Sequence, residues 1–334
     1  MLKNLRAFTQ PLLVALSCCV TFGQTSAGQQ PPLKLERVIS LPGVEGRIDH
    51  LAADIANNRL FVAALGNGTV EVVDLARGER TAEIKELKEP QGLLYLQQNN
   101  TLYVASGGDG TVRSYNARTL APTGSMNLGD DADNLRWEPQ SNSVMVGYGN
   151  GAIAFLPLDL KGKPKAEIAL PAHPESFQIS LDGSHILVNL PRDQSIASLK
   201  IGSASVESRW AKLGAQSNFP MTVDRQHARF FVACRAPAQL LELRENVPIV
   251  AERISTVGDA DDLFWDATHN RIFVIGGEGF VDVVDAQPNG QLKSIAHVPT
   301  AAGARTGLLV GNKLLVAAPH RGSEPARILI FDVQ

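Results

Sequence analysis

The sequence predicts an all-β fold, a seven-bladed β-propeller of four-stranded antiparallel blades, and three observations predict it. An apolar run centred on a valine recurs at Val62, Val104, Val146, Val188, Val232, Val274 and Val316, at spacings of 42, 42, 42, 44, 42 and 42 residues. A period of ~40–45 residues is that of a propeller blade. Within each repeat the residues are those of strands and hairpins, and the repeats lack the 3.6-residue apolar spacing that a helical solenoid of similar period would show. Finally, the last repeat stops after its third strand, while a spare strand lies near the start of the chain.

The first residues read as a leader. Lys3 and Arg6 precede an apolar stretch from Pro11 to Phe22 and a small-residue site at Thr25-Ser26-Ala27, the layout of a secretory signal peptide over residues 1–27. About a dozen apolar residues fall short of the ~20 that span a bilayer. The expectation is therefore export to the periplasm or the extracellular space, with a mature chain over 28–334 and no transmembrane span. Leu16-Ser17-Cys18-Cys19 also resembles a degraded lipoprotein signal, so a lipid anchor at Cys19 is the lesser alternative. With the leader removed only Cys234 remains of three cysteines, which leaves no intramolecular disulfide. Cys234 lies in the apolar run Phe230-Phe231-Val232-Ala233 and reads as a buried structural thiol.

Next comes Leu33-Lys34-Leu35-Glu36-Arg37-Val38-Ile39, expected to close the ring (residues 33–40) by completing the last blade, whose own sequence ends at Phe331-Asp332-Val333-Gln334. Such closure removes an exposed sheet edge. Blade 1 then sets the plan. Leu51 marks the innermost strand a, Leu60-Phe61-Val62-Ala63-Ala64-Leu65 is a continuously apolar strand b, and Asn67-Gly68 is a type I′ hairpin signal. The alternating Thr69-Val70-Glu71-Val72-Val73-Asp74 is strand c, and Thr81-Ala82-Glu83-Ile84 the outer strand d. Blade starts fall near residues 47, 91, 133, 175, 218, 261 and 305. Strand a is marked in turn by Leu51, Leu93, Leu135, Phe177, Met221 and Leu263, eleven residues before each valine, and in blade 7 by Leu308 at a shorter step. Trp265-Asp266 is no WD40 signature, because it ends strand a and occurs in one blade only.

Leu102-Tyr103-Val104-Ala105-Ser106 and Asn67-Gly68-Thr69-Val70-Glu71-Val72-Val73-Asp74 resemble the repeat of the YVTN-repeat, YncE-like seven-bladed propellers, and the resemblance covers essentially the whole mature chain. It implies the propeller fold and an exported protein with a binding role.

Composition narrows the function further. Without Lys3 and Arg6, 29 basic residues face 34 acidic ones, a net charge of about −5, which opposes sequence-independent attraction to nucleic acid or anionic membrane. No Cys-x-x-Cys-His, paired-cysteine zinc site or Gly-x-Ser-x-Gly elbow occurs. Chemistry is instead expected where the d–a connections and the b–c turns surround the mouth of the central channel. Two residues before the strand-a markers stand Asp49, Gln91, Asp133, Glu175, Phe219, Asp261 and Thr306, with Arg47, His50, Asn134, His173, Asn218, Asp262 and Arg305 close by. Asp and Asn also cap turns, but Gly129-Asp130-Asp131-Ala132-Asp133-Asn134 and Gly258-Asp259-Ala260-Asp261-Asp262 concentrate more like charge than turns need.

Blades 1, 2, 3 and 6 carry the turn signals Asn67-Gly68, Asp109-Gly110, Asn150-Gly151 and Glu278-Gly279. Blades 4, 5 and 7 depart from them with Pro191-Arg192-Asp193-Gln194, Arg235-Ala236-Pro237-Ala238 and a longer loop holding His320 and Arg321. These departures are expected to bring Arg192, Arg235, His320 and Arg321 towards the acidic mouth, making a pocket offset towards blades 4 to 7. The expected occupant is a small anionic or polyhydroxylated molecule, a peptide terminus or an envelope protein, bound by a monomeric recognition module. A divalent cation, Ca²⁺ or a transition metal, is a possible cofactor, with Asp49, Asp133, Glu175 and Asp261 as candidate ligands. Sheets pack roughly 10 Å apart, so no more than two or three of these plus water can hold one ion. The alternative function is a metal-assisted hydrolase or lyase on a lactone or sugar-like substrate. It would use Asp49 or Glu175 as ligand or base, His50 or His173 as proton carrier, and Arg305 as electrostatic stabiliser.

Overall fold

The computed structural model describes residues 30–334 apart from 204, 212, 245–246 and 290. The leader expected over 1–27, with Cys18 and Cys19, lies outside the described residues. Among those described, no helix is long and apolar enough to cross a membrane.

Seven four-stranded antiparallel sheets form the blades. Blade 1 runs from Leu51–Asp54 (strand a) through Arg59–Ala64 (b) and Thr69–Asp74 (c) to Glu79–Ile84 (d). The last blade is Thr306–Val310, Lys313–Ala318 and Arg327–Val333, and its outermost strand is Leu33–Ser40, paired antiparallel from Leu33 opposite Val333 to Ser40 opposite Arg327. The ring is thus closed by its N-terminal strand.

The recurring valine explains how the blades cohere. The core divides into seven apolar clusters, one at each blade interface. In blade 1, Leu60, Val62 and Ala64 pack against blade 7, whereas Phe61 and Ala63 pack against blade 2. Alternate residues of strand b therefore face opposite neighbours, which is why the run is apolar throughout. In every blade the valine faces the preceding one, and all seven are wholly buried. Cys234 belongs to the interface of blades 4 and 5, and burial pushes its thiol up to about 12.

Three details differ from the sequence expectation. The turn at Asn67-Gly68 is no type I′ hairpin: Ala64 pairs with Thr69, and a four-residue connection between them makes a 3-10 turn capped by Gly68 at φ 69°. Pro191–Asp193 with Gln194 at φ 53° builds the same turn in blade 4, so that blade keeps the local rule with other residues. Blade 5 turns more tightly, through Ala236-Pro237 between paired Arg235 and Ala238, and blade 7 has the long loop. Lastly, Gly307, not Leu308, lies opposite Val316. A Cβ there would sit 2.4 Å from the Leu315 carbonyl oxygen, so the backbone approach itself demands glycine. The residue two before the marker in blade 7 is consequently Arg305 rather than Thr306.

Candidate functional site

The mouth residues reach the channel axis through a recurring irregularity. In blades 2, 3, 5 and 6 the pairing of strand a with strand b slips at its start, between Pro90 and Leu93, Ala132 and Leu135, Asn218 and Met221, and Ala260 and Asp262. Gln91, Asp133, Phe219 and Asp261 occupy these bulges. A bulge leaves its extra residue out of the ladder and re-aims its side chain, here towards the mouth. Gly92 lets the next blade close in, since a Cβ there would lie 2.1 Å from the Asp133 carbonyl oxygen.

Two cavities follow the axis. The outer one, about 260 Å³, is lined by Arg47, Gln91, Asp131, Asp133, His173, Glu175, Pro191, Arg192, Phe219, Arg235, Asp261 and Arg305. It is polar and of mixed sign. The inner one, about 370 Å³, lies among the innermost strands and takes in His50, Asn134, Arg136 and Asp262. Other sequence-expected residues lie elsewhere. Asn218 is wholly buried, donating to Asn189 Oδ1 at 3.1 Å and the Ser195 carbonyl at 3.0 Å, and so ties blade 5 to blade 4. His320 pairs with Glu45 at 2.7 Å, while Arg321 is held in its own loop by a two-residue bridge to Glu324. Neither lines the outer cavity, because the blade 7 loop folds back on itself.

The charges in the outer cavity fall into two arcs. Towards blades 5 to 7, Arg235 reaches Asp261 Oδ1 at 2.5 Å and Asp259 at 3.3 Å and stacks 3.7 Å over Phe219. Arg305 holds Asp259 at 3.0 Å and Asp261 at 3.2 Å. Burial raises the Asp261 carboxyl to about 6, with Arg235 and Arg305 opposing that rise and Asp49 adding to it. Asp49, only 2% exposed, is paired with Arg47. Below it, His50 lies 3.4 Å from Asp262 and 3.7 Å from Asp49. Burial alone would lower that imidazole, but the carboxylates of Asp262, Asp49 and Asp133 outweigh it and raise it to about 10.

Towards blades 3 and 4 the carboxylates lack such partners. Asp133 is buried, its Oδ1 has no hydrogen-bond partner among the described residues, and its Oδ2 lies 4.0 Å from His173 Nε2. The Glu175 carboxyl has no hydrogen bond or ion pair among the described residues. Burial raises it to about 8, helped by the charges of Asp133 and Asp261. His173 Nδ1 lies 2.6 Å from the Gly149 carbonyl oxygen and 3.6 Å from Asp131. A carbonyl only accepts, so Nδ1 carries the proton and Nε2 points at Asp133. Burial works against charging this ring, yet Asp133, the Gly149 carbonyl, Asp131 and Glu175 together raise it to about 9. One potential ligand atom from each of Asp133, His173 and Glu175 lies within 4.8 Å of the others. Asp49 and Asp261 stand outside that group, engaged by arginines.

Above this arc Arg192, at the tip of its turn, is exposed and makes no hydrogen bond or ion pair among the described residues. Sequence reasoning missed Arg136, which lines the inner cavity, donates to its own neighbour's Leu135 carbonyl and sits 5.5 Å over Phe177. It also missed Asp131 as a partner of His173. Nothing in the repeat pattern flagged Arg136, since it follows the strand-a marker rather than preceding it.

No family model matches the chain, and no curated protein matches it either. Solved structures do. A chain of the mitotic checkpoint complex aligns with a TM-score of 0.74 at 14% identity, covering 97% of this chain and 99% of that one. A chain of hydrazine synthase from Kuenenia stuttgartiensis aligns with a TM-score of 0.74 at 14% identity, covering 88% of this chain and 99% of that one. Both are similar in the propeller fold, and at that identity the likeness extends to the fold alone.

Proposed function

We propose that the protein is an exported, YncE-like recognition module whose propeller mouth binds a small anionic, polyhydroxylated molecule such as a sugar acid. The observation that carries this reading is the meeting of unlike groups on one cavity: Arg192 makes no hydrogen bond or ion pair among the described residues, and it shares the outer cavity with Asp133 and Glu175, which no arginine engages among the described residues. A guanidinium takes a ligand carboxylate in a forked pair, while carboxylates accept from hydroxyls. Rigid strands behind both groups supply the preorganisation that a small ligand needs. The test is a thermal-shift and calorimetric titration with galacturonate against galactose. Galacturonate stabilises the protein in proportion to its occupancy, galactose does so much less, and Arg192→Ala weakens galacturonate binding at least tenfold. Equal responses to the two sugars, or an Arg192→Ala variant that binds galacturonate as the unmodified protein does, would overturn the assignment.

A second reading, a metal-assisted hydrolase or lyase acting on a lactone, is favoured by the convergence of two carboxylates and one imidazole on a single point. Turnover of a uronic lactone, lost in Asp133→Asn, would select it over simple recognition.

A further inference from the structure

The blade 3 and 4 arc has the form of a ligand set missing its ion. Its three donor atoms lie within 4.8 Å of one another. Donors sharing an ion at ~2.0–2.2 Å sit roughly 3–3.6 Å apart, so the set closes by side-chain movement of about 1 Å. Asp133 Oδ1 is buried and accepts no hydrogen bond from the described residues, a costly state that a cation would relieve. His173 is already oriented as a ligand: Nδ1–H is engaged by the Gly149 carbonyl, which turns Nε2 towards Asp133, ready to exchange a proton for an ion. Metal-bound histidines are fixed by that same backbone contact on their far nitrogen.

We propose that Asp133, His173 and Glu175 bind one first-row divalent cation of the Zn²⁺ or Mn²⁺ class. The imidazole donor favours these over Ca²⁺ and Mg²⁺, which prefer oxygen alone, and the absence of a thiol from the set disfavours the softer ions. Two carboxylates neutralise the charge of such an ion, and its remaining positions face the outer cavity. There the ion would take a ligand oxygen beside Arg192. That last role rests on the recognition reading above, whereas cation binding does not.

The experiment titrates the chelator-treated full-length mature protein with Co²⁺, followed by competition with Zn²⁺. Expected are one equivalent bound, visible absorption bands of nitrogen and oxygen coordination, and their loss when Zn²⁺ displaces Co²⁺. Asp133→Asn and His173→Ala each weaken binding at least 100-fold, while Asp259→Asn, on the opposite arc, leaves it unchanged. In the unmodified protein a paramagnetically shifted imidazole N–H resonance reports the histidine ligand, so a variant that fails to fold does not decide the matter. No saturable site, a site that survives both substitutions, or one with no shifted imidazole signal overturns the proposal. The probe is the metal alone, so its failure leaves galacturonate binding at Arg192 standing, and the converse also holds.

Discussion

Asp133 and Asp261 hold equivalent places in blades 3 and 6, each in a bulge at the start of strand a, yet their surroundings differ. Asp261 is gripped by Arg235 and Arg305, which hold Asp259 as well. Asp133 has one histidine nitrogen at 4.0 Å and an oxygen with no hydrogen-bond partner among the described residues. Position within the repeat decides where a carboxylate points, and what neighbouring blades send to meet it decides what it does. One arc is a finished ion network that fixes the mouth. The other retains unspent capacity for a ligand.

The largest effect that would test this contrast lies on the finished arc. Removing both arginines, Arg235→Ala with Arg305→Ala, strands the mostly buried Asp261 together with the more open Asp259, and the unfolding free energy in urea should fall by about 3 kcal/mol, the low end of the range for breaking buried pairs. Wild-type stability in that double variant would mean that the two arcs are alike.

Next in size is Glu175→Gln. The folded-state carboxyl is raised from its ordinary 4.5 to about 8, chiefly by burial. Ionising it costs more in the folded chain than in the unfolded one, so metal-free stability declines as pH rises across that interval. The amide removes the decline. Metal-free Glu175→Gln should match the unmodified protein at pH 4 and exceed it at pH 9 by on the order of 2 kcal/mol, read from denaturant melts at both values; parallel pH profiles would contradict a Glu175 carboxyl that burial keeps from ionising.

The smallest effect sharpens the comparison most. Asp133→Asn loses no hydrogen bond at Oδ1 among the described residues. At about pH 10, above the value of about 9 to which His173 is raised, the imidazole no longer gains from the Asp133 charge, so metal-free stability there should change by less than about 1 kcal/mol, whereas the cation site vanishes. A large destabilisation would assign Asp133 to the scaffold.

Much of the fold could be read from the chain because strand b is covered on both sides, which turns each blade's centre into an apolar run with a fixed valine. Turn geometry was less legible, since the left-handed cap is a glycine at Gly68 but Gln194 in blade 4. Blade 7 misled for a similar reason: counting from a leucine passed over Gly307, where register and close approach leave no room for a side chain. At the mouth, the repeat located Asp49, Asp133, Glu175 and Asp261 one blade at a time. It could not say which would share a point in space. Arg235 crosses from the turn of blade 5 to a carboxylate of blade 6, and His173 enters from the connection before strand a of blade 4. Such contacts are between blades, and a one-blade pattern carries no information about them.

If equivalent carboxylates divide into a compensated arc and a metal-binding one, anomalous diffraction from crystals soaked in Mn²⁺ or Zn²⁺ will show the division. A single peak is expected among Asp133, His173 and Glu175, with none at Asp259 and Asp261. A peak on the arginine-bound arc, or none at the mouth, would contradict it.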